Sequence, residues 1–266
     1  GTTPPRRLTG TPARESGVDW SADGTRLAFS SRRDGDEVEQ VYVLTLAGGD
    51  AARVTSSATG ARSPRFAPDG RRIAYVSDVH PGAATEDENR AAALERRARR
   101  WNARIYEGFP IRNWDRWLDE RQPQLFVQEL PQPGTVPAPA RNLLAGTTLL
   151  KSPGYAGRES DGGAELDPAW SPDGQFLVFA ASIDRDRGAY AFTSTQLWRV
   201  PSRGGEPRRL ELHQRDQRVH LRLAGQQADE DPAQPQCLLG QLRAHPAVAG
   251  GRGVPLGEDE VDRPED

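Results

Sequence analysis

The residues of this 266-residue chain with the right types for catalysis do not stand at the spacings catalysis needs. Attack by a serine requires a hydroxyl projected from a strained strand-to-helix turn, the Gly-x-Ser-x-Gly elbow. No such pentapeptide occurs. Ser160, in Gly157-Arg158-Glu159-Ser160-Asp161-Gly162-Gly163, comes nearest, but its spacing is wrong and it reads as a loop serine. The second requirement is a histidine base oriented by a carboxylate. Of the four histidines, His213, His220 and His245 fall in the C-terminal stretch, and His80, followed by Pro81, reads as a surface residue. The acidic runs Glu86-Asp87-Glu88 and Glu258-Asp259-Glu260 lack the alternating ligands and central glycine of a calcium loop. No catalytic residue, metal site or cofactor is therefore expected in this chain. The acids at 86–88 suit the positive end of a helix instead. What remains is Arg112, Trp114, Asp115 and Trp117. They read as a wall facing a substrate or as an aromatic clamp burying apolar area. In the first case Arg112 would meet a peptide carboxylate or carbonyl, and in the second it would pair with Asp115.

The elements that must hold these residues are written as a repeat. Trp20-Ser21-Ala22-Asp23-Gly24-Thr25-Arg26-Leu27-Ala28-Phe29 returns as Phe66-Ala67-Pro68-Asp69-Gly70-Arg71-Arg72-Ile73-Ala74-Tyr75, and again as Trp170-Ser171-Pro172-Asp173-Gly174-Gln175-Phe176-Leu177-Val178-Phe179. Asp-Gly supplies a turn that tolerates positive φ, and the apolar residues beyond it alternate as in a half-buried strand. Each hairpin leads to a second half: Gln40-Val41-Tyr42-Val43 then Arg53-Val54-Thr55, Gln124-Leu125-Phe126-Val127 then Arg141-Asn142-Leu143, and Gln196-Leu197-Trp198-Arg199-Val200 then Arg208-Arg209-Leu210. One unit thus holds about four short strands, the content of a propeller blade. A hairpin of this kind cannot bury its apolar face alone and must stack on neighbours. The expected fold is all-β, a partial β-propeller over residues 1–212 with about three TolB-like blades at about 17–55, 62–144 and 166–210. The opening phrase Arg6-Arg7-Leu8-Thr9 reads as the end of a preceding blade, so the chain is expected to be a fragment.

The second blade carries an insertion over residues 79–123. Ala91, Leu94, Ala98, Trp101 and Ile105 recur at helical spacing among arginines, predicting a helix from about Asp87 to Arg104 with an apolar stripe. After about His213 the aromatic residues vanish, and residues 213–266 read as a disordered tail or as the product of a reading-frame shift. A net charge of −3 gives no strong preference for nucleic acid or anionic membranes. No apolar run reaches the roughly 18 residues of a membrane span. Neither compartment nor oligomeric state is legible. A propeller of about three blades leaves open strand edges, which favour aggregation.

The segment Tyr106-Glu107-Gly108-Phe109-Pro110-Ile111-Arg112-Asn113-Trp114-Asp115-Arg116-Trp117, followed by Gln124-Leu125-Phe126-Val127, closely resembles the Arg-His-Trp-Asp-x-Trp region of bacterial prolyl oligopeptidase-family serine peptidases, the dipeptidyl-peptidase and acylaminoacyl-peptidase-like branch. Tyr190 to Pro201 resembles a later blade of the same family, and the likeness runs from about Arg6 to Leu210. Asn113 departs from the usual histidine. The resemblance implies the propeller part only, which in this family caps an α/β-hydrolase domain and gates access of short peptides. It implies a parent serine exopeptidase, with a peptide substrate and a hydrolase domain as partners, and a chain that is inert alone. The alternative is a TolB-like propeller acting as a protein-binding module.

Overall fold

The computed structural model describes residues 4, 7–99, 103, 112–113, 116–117, 120–131, 138–160, 163–188 and 190–210. The expectations for the tail at 213–266 and for Trp114 and Asp115 lie outside them.

The three phrases become three antiparallel sheets stacked in sequence order. The first blade is β1 (Glu15–Trp20), β2 (Arg26–Ser31), β3 (Gln40–Thr45) and β4 (Ala52–Arg53), paired in that order. The second opens with β5 (Arg62–Phe66) and β6 (Arg72–Val79). An insertion follows, holding helix α1 (Glu86–Ala98) and the small hairpin of β7 (Arg112–Asn113) and β8 (Arg116–Trp117). The blade then resumes with β9 (Gln122–Glu129) and β10 (Arg141–Asn142), giving the order β10-β9-β6-β5. The third contains a hairpin of β11 (Ala156–Ser160) and β12 (Gly163–Glu165), then β13 (Ala169–Trp170), β14 (Phe176–Ser182), β15 (Gln196–Pro201) and β16 (Arg208–Arg209). Both β11 and β13 pair with β14. The all-β partial propeller read from the repeat is what the described residues form.

Local chemistry explains the turns. Gly24, Gly70 and Gly174 sit at φ of 68°, 64° and 66°. A β-carbon is penalised in that left-handed region. The aspartate before each glycine accepts a hydrogen bond from the backbone N–H two residues on, as Asx turns do. The donor–acceptor distances are 3.0 Å for Thr25 to Asp23, 2.8 Å for Arg71 to Asp69 and 3.0 Å for Gln175 to Asp173. A second repeated device is carried by position alone. Gly17, Ser63 and Asp167, each three residues before the aromatic that opens a phrase, all have positive φ. The strand register slips there in the first two blades, between Ser16 and Asp19 and between Arg62 and Arg65. Each such bulge bends the first strand of its blade.

Beyond the turn the apolar residues alternate between two interfaces. Ala28 and Val41 of the first blade bury against Phe66, Ile73, Tyr75 and Phe126 of the second. Ala74, Val76, Leu125 and Val127 of the second bury against Leu177, Phe179, Ala181 and Val200 of the third. Arginine straps cross both interfaces. Arg26 donates to the Gly70 carbonyl (2.5 Å) and lies over the Phe66 ring. Arg72 repeats this on the next blade, reaching the Gly174 carbonyl (3.3 Å) and lying over Trp170. The third phrase has Phe176 at that position.

The outer face of the first blade is finished differently. Phe29 and Tyr42 stack there under the guanidinium of Arg33. The Tyr42 hydroxyl donates to buried Asp36, which also receives Arg53 (2.8 Å) and the Arg33 backbone N–H (3.2 Å). Burial and the bond to Asp36 push the Tyr42 hydroxyl up to about 12. Burial alone would raise the Asp36 carboxyl, but the hydroxyl, the guanidinium and the N–H together hold it below the usual carboxylate range. A depressed folded-state pKa adds stability that is present above the unfolded-state value and lost as pH falls through the folded one. Asp36→Asn is therefore expected to flatten the loss of thermal stability below about pH 4 relative to the unaltered chain, as read by melting curves at stepped pH.

Candidate functional site at the insertion end of the blades

Antiparallel topology sorts the connections by end. The Asp-Gly turns and the Gly48-Gly49 and Gly204-Gly205 links lie at one end of the blades. The opposite end carries the connections from second to third strand and from each blade to the next. It therefore holds the insertion, the start of each first strand, the β11–β12 hairpin and the loop after β14.

At this end lies a cleft of about 570 Å³ lined by Arg14, Ser16, Arg32, Glu39, Ser63, Arg62 and Glu165, among others. A smaller one of about 200 Å³, bounded by Thr59, Asp78 and Ala164, shares Glu39 and Arg62 with it. Arg62 organises the wall between them. Its guanidinium grips Asp78 through two bonds (2.9 and 3.0 Å), donates to the Ala164 carbonyl (2.8 Å) and lies 3.4 Å from Glu165. Burial works against the Arg62 charge, but Asp78 and Glu165 outweigh it and hold the group more basic than usual. Ser63 donates to Glu165 (3.3 Å) and Ser16 to Glu39 (3.0 Å). These serines face carboxylates within a charged wall. The sequence reading missed this cluster because Arg62 and Glu165 stand far apart in the chain.

The insertion is tied down by polar bonds. Thr85 and Glu88 form a capping box at the start of α1, two orphan groups satisfying each other. Glu88 also accepts from the backbone of Ala84 (2.7 Å) and Thr85 (3.1 Å). Glu86 is partly buried and accepts from the Ala58 N–H, and burial raises its carboxyl. Asn89, the buried residue of the helix, accepts from the His80 N–H (3.1 Å) and donates to Thr59 (2.9 Å). Arg96 pairs with Glu120, and Arg97 with Glu37 (2.5 Å).

Several expectations are corrected here. The helix starts at Glu86 and ends at Ala98, because Arg99 takes extended backbone. Ala91, Leu94 and Ala98 are exposed, Trp101 and Ile105 lie outside the described residues, and within the helix Asn89 and the arginines set the contact. His80 is only 7% exposed, with Nδ1 3.7 Å from Glu120, because α1 lies over it. Ser160 ends β11, paired with Gly163, and is not in a loop.

Of the four residues expected to face substrate, Arg112 and Trp117 pair across the β7–β8 hairpin, and the Trp117 side chain is 56% exposed. Tyr190 and Phe192, in the loop after β14 at the same end of the blades, are also exposed. Among the described residues no group of three or more metal-ligating side chains forms, and no helix is long and apolar enough to cross a membrane.

No protein-family model matches the chain. It is 27% identical over 164 residues to the uncharacterized peptidase YuxL of Bacillus subtilis, covering 62% of this chain and 21% of that protein. It is 24% identical over 176 residues to dipeptidyl-peptidase 5 of Porphyromonas gingivalis, covering 66% and 23%. The chain thus spans about a fifth of the length of these curated relatives. Among solved structures, an acylaminoacyl peptidase of Pyrococcus horikoshii aligns at 14% identity over 74% of this chain and 25% of that one, with a TM-score of 0.41. TolB from Agrobacterium tumefaciens aligns at 16% identity over 76% and 50%, with a TM-score of 0.40. The sequence relatives are peptidases, and the chain is similar to about a fifth of each.

Proposed function

We propose that this chain is the substrate-gating propeller part of a serine exopeptidase acting on short peptides. The observation that carries this is the similarity to peptidases over 164 and 176 residues, far more than any one blade holds. On this reading an α/β-hydrolase domain supplies the catalytic serine and sits against the insertion end. Arg112, Trp114, Asp115 and Trp117 line the path of the peptide there. Arg112 offers a planar cation to a peptide carboxylate or carbonyl, and Trp117 offers an exposed ring for apolar side chains. The chain by itself turns nothing over.

The test uses the full chain with dipeptide and N-acyl-aminoacyl fluorogenic amides, and calorimetry with unlabelled short peptides. The expected result is no hydrolysis, together with weak peptide binding that drops about 5–10-fold on Trp117→Ala, the loss of one aromatic contact. Turnover by the chain, or binding indifferent to Trp117→Ala and Arg112→Ala, overturns the reading.

A further inference from the structure

The larger cleft at the insertion end is lined by carboxylates that are engaged and by guanidiniums that are not. Glu39 accepts from Ser16 (3.0 Å), and Glu165 is held by Arg62 (3.4 Å) and Ser63 (3.3 Å). Arg14 and Arg32 line the same cleft, and neither forms an ion pair among the described residues. Arg32 Nε donates to the Asp36 carbonyl (3.2 Å), while the Arg14 guanidinium donates to nothing there.

The strand register brings these two cations together. Glu15 faces Ser31 across β1 and β2, and Ser16 faces Ser30. One step outward from Glu15 the same pairing sets Arg14 against Arg32, and the Ser31 hydroxyl donates to the Arg14 carbonyl (3.0 Å) beside them. Residues so opposed have β-carbons about 5 Å apart, and like charges placed there repel. Both side chains are exposed, so water and salt screen part of that repulsion. The sheet alternates, so Ser16 and Ser30 lie on the same face as the arginines, two steps inward. Ser30 is fully buried, and its hydroxyl has no hydrogen-bond partner among the described residues. Buried polar groups left that way are uncommon. Two uncompensated cations and an unsatisfied hydroxyl on one sheet face form an arrangement that an anion completes.

We propose that Arg14 and Arg32 form a carboxylate-binding site at the insertion end, and that it takes the C-terminus of a short peptide. Planar guanidiniums match the two oxygens of a carboxylate. Glu39 and Glu165 in the same cleft disfavour a dianion such as phosphate by charge repulsion. That the carboxylate belongs to a peptide rests on the peptidase reading, whereas the arginine pair as a carboxylate site does not.

The test titrates the full chain at low salt with trialanine, trialanine amide, sodium acetate and inorganic phosphate, read by calorimetry. Trialanine is expected to bind about 10-fold more tightly than its amide, the worth of one charge-assisted contact. Phosphate should bind more weakly than trialanine. The difference between acid and amide should disappear when Arg14→Gln and Arg32→Gln are combined. A second readout needs no ligand. Arg14→Gln gives up no hydrogen bond of its side chain, so at low salt it should raise the thermal midpoint by about 1–2 °C as the repulsion ends. Salt at about 0.5 M should erase that gain. Acid and amide bound alike, or a midpoint that falls on Arg14→Gln, overturn the carboxylate site and leave the peptidase reading standing. Phosphate bound as tightly as trialanine overturns the preference for carboxylate. Acetate bound through Arg14 while neither peptide binds upholds the site and overturns its assignment to a peptide.

Discussion

Arg62→Ala is expected to destabilise the propeller part by about 3 kcal/mol, as read from the urea unfolding midpoint of the full chain. The size follows from what is left behind. Arg62 is the cation between Asp78 and Glu165, and it also satisfies the Ala164 carbonyl. Its side chain is 23% exposed, so water screens the cluster only in part. Removing the guanidinium leaves two carboxylates facing each other across the cleft wall without the charge that holds them. A surface ion pair would cost under about 1 kcal/mol to break. The cluster is set apart by its bidentate geometry and by its reach from β5 to β12. Arg62→Met keeps much of the volume and should cost nearly as much, because charge and hydrogen bonds dominate. Adding Asp78→Asn and Glu165→Gln to Arg62→Met should recover part of the loss, because the repulsion goes with the charges. A cost below about 1 kcal/mol for Arg62→Ala, the level of an exposed pair, would show that solvent already neutralises the site and that the cleft wall is not organised by this residue.

The parts of this molecule that are legible in the sequence are those whose cause is local. Asp-Gly fixes its own turn, so the three hairpins read directly. The positive φ three residues before each aromatic does not, because Gly17, Ser63 and Asp167 share a conformation and not a residue type. The start of α1 is signalled by its acids, since a capping box needs only neighbours, whereas its end and its packed face depend on what it lies against. Leu94 obeys the helical period and is still exposed, because Asn89 and the arginines anchor the other side. His80 reads as a surface residue for the same reason: its cover is a helix folded back from later in the chain. The β11–β12 hairpin has too little apolar pattern in its glycine-rich stretch to read as strands. Of the candidate site, Arg112 and Trp117 are visible as a motif. The Arg62 cleft is not, since it joins residues that only the stacking of blades brings together.

Phe179→Ala is expected to cost about 3–5 kcal/mol, the range for truncating a fully buried aromatic ring. Phe179 is fully buried between the second and third blades, with Leu177, Ala181 and Val200 beside it and Trp198 opposite on the neighbouring strand. The repeat supplies an internal control. Phe29 stands at the same place in its own phrase, directly opposite Tyr42 on β3. Yet it belongs to a small cluster with Tyr42 and Leu44, roofed by Arg33. A flexible guanidinium stem can settle into the space left by a truncated ring, whereas two sheets stacked face to face can collapse very little. Phe29→Ala should therefore cost about half as much as Phe179→Ala, measured side by side by urea unfolding. In stacked repeats stability is held at the interfaces between units as much as within them. The difference between these two truncations measures how much of it lies between blades. Equal costs would mean that the arginine roof packs as rigidly as a neighbouring blade, and cohesion between blades could then no longer account for the stability of the stack.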